Sequence, residues 1–217
     1  MHRYSDRKLP MKDTEISNVE YGFMKIHGIS MRMTLLPLII VSLGQSGSDP
    51  EWKVVSADSK DPAILERKSK AIRARDSLFE TLTKRLTEVA ESRGPAAAIA
   101  VCQDEAPKIA KQVGDRQGVK IGRTASKLRN QANRAPQWAD SWIAKSPAEP
   151  VFVQGPNGAL GAILPIRLKA QCLTCHGPVR SMPVEVRTEL ARRYPNDRAV
   201  GFSEGDLRGW FWVEVTK

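Results

Sequence analysis

Cys172-Leu173-Thr174-Cys175-His176 is the stretch of this sequence whose residue types and spacing can do chemistry. Two thiols two residues apart, followed at once by an imidazole, match the attachment signature of a c-type haem. Each sulfur can form a thioether to one vinyl group on the porphyrin edge. The next residue then falls beneath the iron and supplies its proximal nitrogen. Other readings are less specific. A structural zinc site needs four ligands, and no second C-x-x-C or H-x-x-x-H exists in the chain. A thioredoxin-like pair wants its motif opening a helix in a βαβ unit, whereas this one follows the strand-like Gly161–Ile166 and enters Gly177-Pro178. A simple disulfide is the third alternative.

An iron held by His176 from one side needs a partner on the other. Leu35 to Leu43 is an apolar run of nine residues, too short to span a bilayer. Lys25 and Arg32 precede it and Gly44, Ser46, Gly47 and Ser48 follow, which is the layout of a secretory signal peptide. Residues 1–47 are therefore expected to be removed, with translation starting at Met24, Met31 or Met33 and residues 1–23 upstream of the true start. Periplasmic or secreted export suits the haem reading, because c-type attachment takes place outside the cytoplasm.

Processing empties the ligand inventory. Of the histidines His2, His27 and His176, and the methionines Met1, Met11, Met24, Met31, Met33 and Met182, His176 and Met182 alone lie beyond residue 47. Bis-histidine ligation within one protomer is excluded. Met182 follows His176 by six residues and would have to loop around the anchored porphyrin edge. Cys102, seventy residues before Cys172, reaches the opposite face without local contortion and is the foremost candidate. A water-occupied position, Met182 or a lysine are the alternatives. An iron-bound thiol is ionised, and its electron donation stabilises ferric iron.

The elements that must position these groups are readable in part. The chain has 217 residues, 41% apolar and 27% charged, ordinary for one soluble domain with a helical extension. The net charge is +10, and residues 1–47 hold six Lys/Arg against four Asp/Glu, so most of the excess lies beyond them. It is scattered along helices, and no nucleic-acid module is recognisable. No nucleic-acid partner is expected, and the basic surface suits solvation or docking to an acidic redox partner.

Residues 48–61 read as a linker between breakers Pro50 and Pro62. Pro62 to Arg93 reads as a long amphipathic helix, with Leu65, Ile72, Phe79 and Leu86 at seven-residue spacing and Leu82 and Val89 on the same face. A second copy of the chain could pair along it as a homodimer. A second helix, 96–113, stops at Gly114 and carries Cys102 on its buried face, where a lone cysteine is ordinarily an inert core residue.

A short strand at 118–122 and a polar, breaker-rich stretch from Arg123 to Pro136 follow, then a helix at 137–145. Strands 151–153 and 159–168 flank Gly155-Pro156-Asn157-Gly158 as a hairpin. A helix at 183–194 turns Val186 and Leu190 inward. The last strand, 207–215, alternates Trp210 and Trp212 against Phe211, Val213 and Val215. Helices first and hairpin strands later give an α+β class with a small antiparallel sheet. Trp138, Trp142, Trp210 and Trp212 are read as packing the core or the haem rim.

Four blocks carry a family resemblance. Ala98 to Pro107, Gly122 to Asn133, Cys172 to Gly177, and Tyr194-Pro195-Asn196-Asp197 leading to Gly205-Asp206-Leu207-Arg208-Gly209 occur in this order. They resemble a family of single-haem, PAS-like c-type haem domains, long catalogued as a domain of unknown function. Its members occur as free exported proteins and as sensor parts of histidine kinases and related receptors. The resemblance spans residues 62–216 and implies a PAS-like antiparallel sheet flanked by helices, with His176 and Cys102 as opposite axial ligands. Gln131 departs from the usual proline, and no kinase or output domain is present in the chain, so signalling within the chain is unsupported.

Within the second block, Arg123, Arg129 and Asn130 are expected around the haem. Asparagines structure loops through backbone bonds, and an arginine could pair with a haem propionate. The expected function is an exported haem c protein sensing redox state or a diatomic gas such as NO or CO. A one-electron-transfer cytochrome is the alternative. No enzymatic activity is expected, since no second histidine survives processing to act as an acid or base.

Overall fold

The computed structural model describes residues 51–217, so the expected signal segment at residues 1–47, its cleavage and the start codon lie outside the described residues. Helix α1 (Pro62–Arg93) begins where Asp61 accepts a 2.8 Å bond from the Ala63 amide and Pro62 opens the first turn. It ends at Gly94, whose φ of 83° few other residues adopt. The length matches the sequence expectation, and the buried stripe matches in part: Leu82 and Val89 are buried as expected and Leu86 packs against Val89. Ile64, Ala71, Ala74, Leu78, Leu82 and Val89 face inward, while Leu65, Ile72 and Phe79 are exposed. Ile64, Ala71 and Leu78 repeat every seven residues, as do Leu65, Ile72 and Phe79, and the two rows lie about 100° apart. Ala71 and Ala74 are fully buried, which lets the helix lie close on the sheet; a stripe of larger residues could not.

The second helix is also interrupted. Helix α2 (Pro95–Ala100) runs into a π-helical turn, Val101–Glu105, before α3 (Ala106–Gln117). Pro107 has no N–H and crowds the carbonyl of Gln103 in a regular α-helix. The chain accommodates this with a wider turn in which the Ala106 amide bonds the Val101 carbonyl. Helix α3 passes Gly114 and stops at Gly118, in the left-handed region at φ 61°. The expected stop was one glycine too early.

Five antiparallel strands form one sheet: β1 (Lys53–Val54), β2 (Lys120–Thr124), β3 (Val151–Gln154), β4 (Leu160–Arg167) and β5 (Leu207–Val215), in spatial order β1-β3-β4-β5-β2. β1 comes from the stretch expected as linker. It pairs with β3, and Val55 beside it joins the core. On one face α1 and α3 pack over Leu160, Ala162, Leu164, Phe211, Val213 and Val215. On the other, helix α4 (Gln137–Ala144) packs Ala139 against Ile163 and Trp210. The expected alternation of β5 therefore holds.

The tryptophans are structural. Trp52 stacks on Trp138 at 4.6 Å, and Trp210 Nε1 donates to the Pro147 carbonyl at 2.8 Å. Short helix α5 (Leu173–His176) follows β4, and helix α6 (Val184–Arg193) packs against α2 through Ile99, with Val186 and Leu190 buried as expected. The architecture is the α+β, small-sheet-and-helices class expected. Among the described residues no helix is long and apolar enough to cross a membrane.

Candidate functional site

A cavity of about 560 Å³ lies between the C-terminal half of α1, the π-turn, the end of β2 with the loop after it, the end of β4, and α5. That is within the roughly 300–1,000 Å³ range of small-molecule and cofactor sites. Cys102, Arg123, Arg129, Asn130, Cys172, Cys175 and His176 all line it. Residues spread over seventy-five positions of sequence thus line one cavity.

The motif is held by short-range bonds that its own residues dictate. A 3-10 turn, Ala170–Cys172, leads into α5, and the Gly177 amide bonds the Leu173 carbonyl at 2.8 Å. A Cβ at Gly177 would stand 2.7 Å from that carbonyl, so glycine follows the histidine for lack of room. The loop at 199–202 then grips the motif. The Phe202 amide bonds the His176 carbonyl at 3.0 Å and the Gly201 amide bonds the Gly177 carbonyl at 2.8 Å.

The ring of His176 is oriented by the same loop. Its Nδ1 lies 2.8 Å from the Ala199 carbonyl. A carbonyl only accepts, so Nδ1 carries the proton and the lone pair of Nε2 is left for a ligand. Burial, with Arg129 and Arg208 nearby, pushes this histidine down to about 3, and the ring is neutral at physiological pH. Phe202 meets it edge-on at 6.4 Å. Cys102, Cys172 and Cys175 are free thiols, and burial raises the pKa of Cys175. Among the described residues no three His, Cys, Asp or Glu side chains converge to hold a metal ion by themselves. The motif residues line a surface and do not form a zinc cage.

Cys102 sits on the π-turn, half-buried, and the three residues after it tie that turn to two other helices. Glu105 makes a bidentate pair with Arg85 of α1, at 2.7 and 3.1 Å. Gln103 and Asp104 accept from Arg193 of α6 at 2.7 and 3.1 Å. Arg193 in turn binds Glu189; Glu189 and Asp104 keep its guanidinium charged, and Arg192 together with Arg193 holds the pKa of the Glu189 carboxyl below its usual value, so it stays ionised. π-turns are frequent at functional sites, and Pro107 is the sequence signal of this one. Met182 is placed elsewhere, packed among Ile99, Val186, Leu190 and Tyr194.

The arginines divide into two kinds. Arg129 is a bracket. It donates to Asp197 at 2.9 Å, to the Cys175 carbonyl at 2.5 Å and to the Ala199 carbonyl at 3.0 Å, which binds the motif to the loop carrying its histidine's partner. Asn130 accepts the Ala132 amide at 2.9 Å, a turn-forming bond. Arg123 makes no hydrogen bond or ion pair among the described residues. Arg208, which sequence reasoning missed as a site residue, lines the cavity beside them.

The donor set fits a haem. A neutral histidine with a free nitrogen, a lone thiol from a distant element, two thiols on the wall, apolar flanks such as Leu86, Ile99 and Leu128, and guanidinium groups suit a flat apolar ring with iron and carboxylates.

Comparison with known proteins agrees with this chemistry. The family model "Tll0287-like: Tll0287" matches residues 57–216. The crystal structure of the cyanobacterial heme-protein Tll0287 is similar, with a TM-score of 0.51 at 25% identity, covering 70% of this chain and 96% of that one. No protein of curated function matches.

Proposed function

The chain belongs to the Tll0287-like family, and from that premise we propose that it is an exported protein with one covalently attached haem c, sensing redox state or a diatomic gas. The observation that carries the reading is the meeting of Cys172, Cys175, His176 and Cys102 on one cavity. Cys172 and Cys175 would hold the haem by thioethers, His176 Nε2 would be the proximal ligand and Cys102 the distal one. Bound haem supplies a redox-active iron with exchangeable axial ligation.

The residues of the chain do the rest. Ala199 and Arg129 hold His176 and Cys175 in place. Arg85 and Arg193 hold the turn that presents Cys102, so loss or gain of the thiol's bond would be felt at α1 and α6. That linkage favours sensing. We read the protein as a binder and not an enzyme, because no second histidine is available beyond residue 47 as acid or base.

Oxidised and reduced ultraviolet–visible spectra of the exported protein test the cofactor, and ferric electron paramagnetic resonance of Cys102→Ala tests the ligand. We expect the low-spin thiolate signature of the wild type to disappear; an unchanged signature removes Cys102. The half-exposed positions of Cys172 and Cys175 favour a second reading, electron transfer through a haem edge near the surface. Potentiometry separates them: a reversible couple without ligand loss supports transfer, and ligand loss on reduction supports sensing.

A further inference from the structure

Arg208 stands at an irregularity of the sheet. Ile166 pairs with Gly209 and Arg167 with Leu207, so Arg208 is the extra residue of a bulge between them. Bulges re-aim a side chain and recur beside functional sites. Behind it, Gly209 lies directly against the Thr124 carbonyl, where a Cβ would collide. The backbone is therefore pressed onto β2, and the Arg208 side chain is turned into the cavity that both strands border.

There it lacks a counter-charge. Its hydrogen bond among the described residues is to the Lys127 carbonyl, at 3.1 Å, and its Nε is buried with no partner. Arg123 stands across the sheet opposite Phe211 and lines the same cavity, without a protein partner among the described residues. Asp197 is already taken: one oxygen accepts from Arg129 and the other from the Ala199 amide at 2.8 Å. Burial, reinforced by Arg129 and Arg123, lowers the Arg208 pKa to about 10. Arg208 is half-buried over the Phe202 ring, and its covered, unpaired Nε costs free energy until an acceptor arrives; planar guanidinium forks match carboxylates two bonds at a time.

We propose that Arg208 and Arg123 form a dicarboxylate-binding pair that receives the two propionates of the haem, while Arg129 serves the protein and not the cofactor. This inference rests on the haem reading above. It assigns Arg208, and it removes Arg129 from the group of cofactor contacts.

Resonance Raman spectra of the holoprotein test it, because the propionate bending band responds to hydrogen bonding at those carboxylates. The variants are Arg208→Gln, Arg123→Gln, Arg208→Lys, and Arg187→Gln as an exposed control of equal charge change. The band is expected to move to lower frequency in both glutamine variants and to stay in place in the control, with the lysine variant between. An unshifted band in the glutamine variants overturns the proposal, and Arg123→Gln decides alone if Arg208→Gln does not fold. Intact mass separates the two levels. A wild-type mass without the haem increment removes the haem reading and this proposal with it; haem present with an unmoved band removes this proposal only.

Discussion

One carbonyl settles the role of one nitrogen: Ala199 holds the proton on Nδ1 of His176, and so points a neutral Nε2 at the cavity. What keeps Ala199 in place is Arg129, which is 8% exposed and paired with an Asp197 side chain that is 11% exposed. Removing one partner of a buried ion pair strands the other and costs about 3–5 kcal/mol. Arg129→Met should therefore lower stability by about that amount in urea unfolding. A loss below about 1 kcal/mol, the range of exposed pairs, would mean that the bracket carries little. The residues that the motif does not contain, Ala199, Arg129 and Asp197, determine how the motif presents itself.

At the scale of elements, α1 carries two apolar stripes, and Leu65 and Ile72 of the outer one stand exposed. Leu78 is fully buried and Leu65 is 48% exposed. Leu78→Ala should cost about 2–5 kcal/mol, and Leu65→Ala should stay within about 0.5 kcal/mol. Equal losses would show that a second protein chain covers the outer stripe, and sedimentation would then find a dimer. The π-turn makes a different prediction. Its ties are partly exposed, with Arg193 at 19% and Asp104 at 57%, so Arg193→Met should change stability by less than about 1 kcal/mol. It should nevertheless raise the fraction of holoprotein lacking the thiolate spectrum. A stability loss with an unaltered spectrum would make Arg193 a structural residue only.

For the whole molecule, the cavity sits where α1, the sheet and the motif loop fail to close on one another, and its walls are largely apolar. A group that binds the folded chain and not the unfolded one stabilises the fold. Cys172→Ser/Cys175→Ser should lose the covalent mass increment and unfold at a lower denaturant concentration than the wild type. A double variant that keeps covalent haem would disprove attachment at these thiols. The full sequence carries a net charge of +10, most of it beyond residue 47, which leaves any docking to an acidic partner sensitive to salt.

Local structure was legible in the sequence. The extent of α1 from Pro62 to Arg93, the hairpin about Asn157 and the two faces of β5 each depend on residues close together in the chain, where propensity, caps and periodicity act. Tertiary structure decided the rest. Which of two adjacent stripes of α1 is buried depends on the sheet it meets. β1 exists because β3 offers it an edge, and the turn under Cys102 is wide because Pro107 forbids a regular one within a helix packed at both ends. Arg129 and Arg208 look alike in the sequence. One became a bracket and the other a half-buried cation facing the cavity, because partners from residues 175 to 199 reach the first and none reaches Nε of the second.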